Sequence, residues 1–483
     1  MGGLRDHHSH GQISAGLCLG IFAIILGLLC QAFSWVPGVE AVNGLHRPVL
    51  RFNNEGTFKI LQVADMHYGD GSRTPCRDLI PSQLRHCSDH NTTAFVARLL
   101  AAEKPDLVVF TGDNIDFDSS NATKSLDEAI APVIAAKIPW AAILGNHDQE
   151  STLSRGEVMS YLTQMDYSLC EVLNPYLQTL LLGKDLNPST KNMDVYGFGN
   201  YYLQVFGALE SESENSSLLN LYFLDSGDYA KFHEVGGYEW IRSSQLMWFR
   251  SLSAKLRVYT LSKQVEDSPP ITPALAYFHI PLPEYKTVLE SPKMILGEQQ
   301  EEISSPLVNS GLFTALLEAG DVKATFVGHD HVNDYCGNFF GIHLCFGGGT
   351  GYHAYGKVGW PRRARVVLAT LGWESKGGSR KTREIVTWKR LDDESMSQID
   401  LQVLYNGYEG WWFTKPFYKG RLSFGRRGNA SMWIASLLIT IILLLMASSS
   451  LLINVLYRHF LRQKRGSYVP VENSHVESNG SFG

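Results

Sequence analysis

Five short stretches of the chain place Asp, Asn or His directly after an apolar run rich in β-formers. They are Asp65-Met66-His67, Gly112-Asp113-Asn114, Gly145-Asn146-His147-Asp148, His279 and Gly328-His329-Asp330-His331. The third follows residues 138–144 (IPWAAIL), which read as a buried strand. Asn146 offers a neutral amide oxygen and His147 an imidazole, while Asp148 offers a carboxylate able to orient that imidazole. Gly145 lets the chain turn off the strand end. Asn, His and Asp are also ordinary turn residues, so one such stretch alone signifies little. Collected, Asp65, His67, Asp113, Asn146, His279, His329 and His331 are oxygen and nitrogen donors without a thiolate. Such a set suits borderline divalent metals and iron. Seven donors exceed one tetrahedral ion and suit two adjacent ions sharing a carboxylate. Two ions about 3.5–4 Å apart can hold a hydroxide and clamp the oxygens of an in-line displacement at phosphorus.

Positioning these groups requires strands that end together. Residues 58–64 (FKILQVA) read as a strand closing on Asp65, residues 107–111 (LVVFT) as a second closing on Asp113, and residues 140–144 as a third. Helical spacing at 92–103 and 125–137 separates them. The result is strand, helix, strand, helix, strand, with ligand-type residues at the carboxyl ends, where ligands of α/β sheets gather. Further on, residues 158–182, 245–256 and 307–318 read as helical. Strands are expected at 196–205, 218–224, 274–278, 324–327, 334–336, 342–346 and 365–370, and a sheet pattern over 384–404. Asp225-Ser226-Gly227 again follows a strand end and could line the site, though a plain turn is the commoner reading, and residues 347–356 read as a glycine-rich loop.

The two ends differ from this middle. Residues 13–37 are uncharged and strongly apolar behind Arg5, so residues 1–41 read as a signal peptide or a signal anchor. Residues 432–457 are 26 residues without a charge, and about 20 suffice to span a bilayer. Arg458, Arg462, Lys464 and Arg465 mark the following side as cytoplasmic, a bias that Arg426 and Arg427 weaken without reversing. Residues 458–483 are then a cytoplasmic tail. Residues 42–425 would be a lumenal or extracellular domain on a secretory-pathway or plasma membrane. Sequons at Asn91, Asn121, Asn215 and Asn429 agree with that placement. So do two close cysteine pairs, Cys76 with Cys87 and Cys336 with Cys345, either of which could form a disulfide. Cys18 and Cys30 lie in the first apolar segment, and Cys170 is left over as a buried thiol. With 44% hydrophobic and 19% charged residues the composition is globular, and a net charge of -6 gives no reason to expect nucleic acid.

The order of the five stretches resembles the calcineurin-like metallophosphoesterase family over roughly residues 57–405. Within it the chain looks most like the purple-acid-phosphatase-related group of plants and fungi. Residues 87–93 (CSDHNTT), 103–106 (EKPD), 351–356 (GYHAYG) and 360–365 (WPRRAR) carry that closer similarity. The resemblance implies an α/β fold, a two-sheet β-sandwich flanked by helices. It implies one ion (iron, zinc or manganese) on Asp65, His67, Asp113 and His331, and another on Asp113, Asn146, His279 and His329. His147, oriented by Asp148, would stabilise the transition state or protonate the leaving oxygen. Two positions depart from true purple acid phosphatases, which have a glycine where this chain has His67 and a metal-bound tyrosine where it has Asp116. Members lacking that tyrosine are often labelled probably inactive, yet His67 can fill the vacated position. The expectation is a membrane-anchored phosphate-ester hydrolase. The alternatives are a phosphodiesterase on lipid head groups or nucleotides, and an inactive binding protein of the same fold. The last would be marked by a lost ligand or a lost His147, and neither is lost.

Overall fold

The computed structural model describes residues 47–172, 195–231, 235–262, 271–290, 295–372 and 381–407. The expected N-terminal signal or anchor, the apolar segment 432–457, the tail 458–483, the Asn429 sequon, Cys18 and Cys30 all lie outside the described residues. Among the described residues no helix is long and apolar enough to cross a membrane.

Two mixed sheets carry the fold. The first contains β1 (Thr57–Val63), β2 (Leu107–Thr111), β3 (Trp140–Ile143), β11 (Arg363–Gly372), β12 (Lys381–Leu391) and β13 (Gln398–Asn406), in the order β13-β12-β11-β1-β2-β3. The second contains β4 (Tyr201–Phe206), β5 (Ser217–Phe223), β6 (Ala274–Tyr277), β7 (Ile295–Leu296), β8 (Val322–Val327), β9 (Cys336–Phe339) and β10 (Ile342–Phe346), in the order β4-β5-β6-β8-β10-β9-β7. Strands β1, β2 and β3 run parallel, because helices α1 (Asp89–Glu103) and α2 (Ala122–Ala135) return the chain to the same edge. Strands β5, β6, β8 and β10 are parallel in the other sheet.

β2 is buried at every position, which explains its unbroken apolar sequence. Leu107 and Val109 point to the core shared with Leu221, Phe223, Leu275 and Phe326 of the second sheet. Val108 and Phe110 point the other way, into a core with Phe95, Leu99, Leu126 and Ile130 of the two helices. On the far side, α4 (Ser243–Ser262) and α5 (Leu312–Ala319) cover the second sheet through Trp248, Phe249, Leu312 and Leu316. The layers are therefore helix, sheet, sheet, helix, as the resemblance implied. Both expected disulfides, Cys76–Cys87 and Cys336–Cys345, are formed, and Cys170 is a buried free thiol.

Several boundaries differ from expectation, each for a local reason. α1 starts at Asp89 rather than residue 92, because Ser88 caps it and Asn91 bonds back to the Ser88 amide. The helix expected over 158–182 is α3 (Arg155–Leu162) and stops at Leu162. There the chain turns to pair with the free edge of β3, where Leu169 N donates to Trp140 O (2.7 Å). Residues 173–182 lie outside the described residues. The strand expected from 196 begins at Tyr201, since Gly197 and Gly199 both take positive φ. The helix expected from 307 begins only at Leu312, after Gly311 in the left-handed region. The pattern at 384–404 is two strands, divided by a turn in which Asp393 accepts from Ser395 N and Ser397 N.

Candidate metal centre

The parallel registers align the carboxyl ends of β1, β2 and β3 in one sheet and of β6 and β8 in the other. The loops after these ends are sewn together across the sheets. Gln62 Nε2 donates to Val327 O (3.0 Å) and His329 N to Asp65 Oδ1 (2.8 Å) between the sheets, and Gly328 N donates to His279 O (3.2 Å) within the second. All seven expected donors thereby converge. Asp65, His67, Asp113 and His331 form one group, and Asp113, His279 and His329 a second, with Asp113 common to both. Asn146 Oδ1 joins the second group, 3.2 Å from His279 Nε2. Asp65, His67, Asp113 and His329 all adopt positive φ, between 43° and 76°. For non-glycine residues such backbone costs about 1–3 kcal/mol each and is characteristic of ligand clamps. Gly145 is not in that region. Its role is close approach, since a Cβ there would lie 2.1 Å from Asp113 Oδ1.

The ring nitrogens facing away from the cluster are engaged, which settles what faces inward. His279 Nδ1 donates to Thr111 O (2.8 Å), His331 Nδ1 to Tyr355 O (3.1 Å), and His67 Nδ1 to Asp116 Oδ2 (3.0 Å). Each Nε2 therefore faces the cluster. His67 Nε2 lies 3.1 Å from His331 Nε2 and 3.4 Å from Asp113 Oδ2, and His279 Nε2 lies 3.2 Å from Asp113 Oδ2. Among the described residues, His329 Nε2 and Asp65 Oδ2 are buried without any hydrogen-bond partner. Ring nitrogens and carboxylate oxygens crowded together in this way are arranged to share positive charge, from protons or from metal ions. The residues fit a two-metal centre, in two groups that share Asp113.

The electrostatics agree. Burial alone would lower His67 and His279, but contacts with Asp113, joined by Asp116 at His67 and Asp65 at His279, outweigh it and raise them to about 10 and 9. Burial would raise Asp113, but His279 and His67 hold it well below the usual carboxylate range. Burial pushes Asp65 up to about 7. Burial and the neighbouring His279 push His329 down to about 3, and burial and His67 push His331 well down.

One expected role is corrected. Asp148 does not orient the His147 ring. Its fully buried carboxylate accepts from Gly145 N (2.7 Å), Asn114 N (2.9 Å), Asn114 Nδ2 (3.2 Å) and Ile115 N (3.2 Å), clamping the Asp113 and Asn146 loops together. The His147 Nδ1 partner is Glu150, three residues on in the same turn. His147 N donates to Asp113 Oδ1 (2.8 Å), and its ring stands 5.2 Å from that of His67. Asp225 is no plain turn residue either, since it pairs with the buried Arg155. Sequence reasoning also gave no role to Asp116, Arg77 or the aromatic residues around the centre. Tyr229 OH accepts from Asn146 Nδ2 (3.2 Å), Tyr238 meets His329 edge-on (4.4 Å), and Tyr355 stacks on His331 (3.8 Å). Only the GYHAYG stretch hinted at one of them.

A fold of two sheets between helices, with paired His/Asp groups at the strand ends, defines a metallophosphoesterase. The calcineurin-like phosphoesterase family matches residues 58–333, over half the chain, and the chain belongs to that family. It is 50% identical over 388 residues to "Probable inactive purple acid phosphatase 29" of Arabidopsis thaliana, covering 80% of this chain and 94% of that protein. It is 34% identical over 374 residues to "Phosphatase DCR2" of Saccharomyces cerevisiae, covering 74% of this chain and 58% of that protein. Among solved structures, a dimetal phosphatase from Danio rerio aligns with a TM-score of 0.42 at 14% identity, covering 73% of this chain and 99% of that one.

Proposed function

We propose that this chain is an active dinuclear-metal phosphoesterase, anchored by residues 432–457 with residues 42–425 on the lumenal or extracellular side of a membrane. The observation that carries the catalytic part is the convergence of buried ligand-type atoms on two adjoining centres that share Asp113, with His329 Nε2 and Asp65 Oδ2 left without a partner. When bound, the two ions would supply charge to a phosphoryl oxygen and lower the pKa of an attacking water. The protein's part is to fix the donors and to handle the leaving group. Thr111 O, Tyr355 O and Asp116 lock the rings of His279, His331 and His67. Such partners fix tautomer and raise ligand basicity. His147, a quarter exposed on the cavity side and held at Nδ1 by Glu150, keeps Nε2 available to a leaving oxygen.

The printed name of the Arabidopsis relative calls it probably inactive. The residues here support activity. Asp116, standing where true purple acid phosphatases carry the metal-bound tyrosine, aims His67 into the cluster. For the topology, exposed sequon residues Asn91, Asn121 and Asn215 and the two disulfides support an oxidising, glycosylating compartment. Metal analysis of the purified full chain, with a panel of phosphate mono- and diesters, tests the reading. Two ions per chain and chelator-sensitive ester hydrolysis are expected. A fully metallated chain with no turnover on any ester would instead be the inactive binding protein.

A further inference from the structure

We propose that Arg77 binds an anionic phosphoryl oxygen of the substrate and makes the site selective for phosphomonoesters over diesters. This rests on the phosphoesterase reading above. Arg77 lines the same cavity, about 160 Å³, as His67, Asp113, His147 and His331, and among the described residues it is the only Lys or Arg that does. Its position is built. Arg77 N donates to Tyr352 O (2.9 Å), its carbonyl accepts from Arg362 Nη2 (3.0 Å), and the adjacent Cys76 is tied to Cys87. Its Nη2 donates to His353 Nε2 (2.8 Å), and His353 Nδ1 donates to Pro75 O (2.7 Å), which fixes the tautomer that receives it.

No described carboxylate lies within ion-pair distance of this guanidinium, although Asp118 is near enough for the two charges to attract. Asp116 and Asp118 approach His353 at 3.8 and 3.7 Å. Neighbouring arginines are engaged elsewhere, Arg362 by the carbonyls of Ala354 and Tyr355 and Arg363 by Asp334. Arg77 thus brings a five-donor fork to the cavity with one donor engaged by a neutral ring. Asp116, Asp118 and His353 lie close enough together to suggest a third cation site. The Arg77 guanidinium already takes His353 Nε2, so this corner is assigned to an anion. A phosphomonoester offers three non-bridging oxygens that share up to two charges, and a diester two that share one. Were two such oxygens taken by the metal ions, only the monoester would leave a charged acceptor for Arg77, and charge-assisted bonds are about twice as strong as neutral ones.

The test uses the metal-loaded full chain, Arg77→Gln and Arg77→Lys. Three quantities are measured: kcat/KM on 4-nitrophenyl phosphate and on its bis-ester, calorimetric affinity for inorganic phosphate, and metal content. Arg77→Gln should keep both metals, lose on the order of 10²-fold in kcat/KM on the monoester, and lose under about threefold on the diester. Phosphate affinity should fall about tenfold or more, and Arg77→Lys should restore part of each loss, keeping charge without the fork. Equal falls on both esters, unchanged monoester turnover, unchanged phosphate affinity or loss of metal would each overturn the proposal. If the wild type hydrolyses neither these esters nor any other of the panel above, the phosphoesterase reading fails on its own. Phosphate affinity that still depends on Arg77 then retains the anion site, and affinity that is absent or independent of Arg77 overturns it.

Discussion

His147 and Asp148 are neighbours in the chain with separate tasks in the molecule. The His147 ring faces the cavity and is held by Glu150, whereas the Asp148 carboxylate is fully buried and gathers four N–H groups from two ligand loops. The variants should therefore fail differently. His147→Ala should keep both metals and near-normal stability while kcat falls on the order of 10²–10⁴. Asp148→Ala should leave buried donors unsatisfied at about 1–3 kcal/mol each, lowering the melting temperature and the metal content together. Metal content, melting temperature and kcat measured for both variants decide the matter, and loss of metal in His147→Ala would make that ring a ligand. The donors were legible because each stands at the end of an apolar run, where topology leaves little freedom. The direction of a side chain was not. Adjacency suggested that Asp148 supports His147, but loop geometry sends the two apart. Asp116 and Arg77 sit in loops whose path depends on contacts distant in sequence, with Tyr68 for one and Tyr352 for the other.

Elements were read well where burial imposed a pattern and poorly where an edge or a cap decided. β2 matched residue for residue because both its faces are buried, while α3 was overextended because the apolar run after it serves the β3 edge. Glu103, in the last turn of α1, shows how one charge can join elements that the sequence lists separately. It accepts from Trp388 Nε1 (3.0 Å) and Arg390 Nε of β12 and from Lys59 Nζ of β1 (3.1 Å). Burial opposes its charge, but these three contacts outweigh burial and hold it below the usual glutamate value. A depressed folded-state value means the stabilisation is complete above the unfolded glutamate value and is lost as pH falls through the folded one. Glu103→Gln should cost about 1–3 kcal/mol at neutral pH. The gap to wild type should close below about pH 4, where the wild-type carboxylate is being protonated too. Urea midpoints for both proteins across that range check it. A gap independent of pH would show that shape, not charge, holds α1 to the sheets.

At the scale of the molecule, the layered architecture followed from strands without alternation separated by helices, and the resemblance supplied the second sheet's role. What the sequence could not show is that the cluster of donors is itself a join between the sheets. Asp65, Asp113 and Asn146 come from one sheet, and His279, His329 and His331 from the other. Four of the donors sit in backbone that costs about 1–3 kcal/mol each to hold, and their acceptor atoms repel one another when nothing positive lies between them. Ions bound there should therefore stabilise the whole fold and not merely complete a catalytic site. A ligand that binds only the folded state adds RT ln(1 + [L]/Kd), about 2.7 kcal/mol at a hundredfold excess over Kd. Prolonged chelation should accordingly lower the melting temperature by about 5 °C or more, and restoring zinc, iron or manganese should recover it. Hydrogen exchange should rise at the carboxyl ends of β1 and β2 and, in the other sheet, of β6 and β8, because the join is lost on both sides at once. If chelation removes the metal but exchange rises in one sheet only, the ions do not bridge the layers. If the melting temperature then stays fixed, the hydrogen bonds from Gln62 to Val327 and from His329 to Asp65 suffice to hold the sheets together.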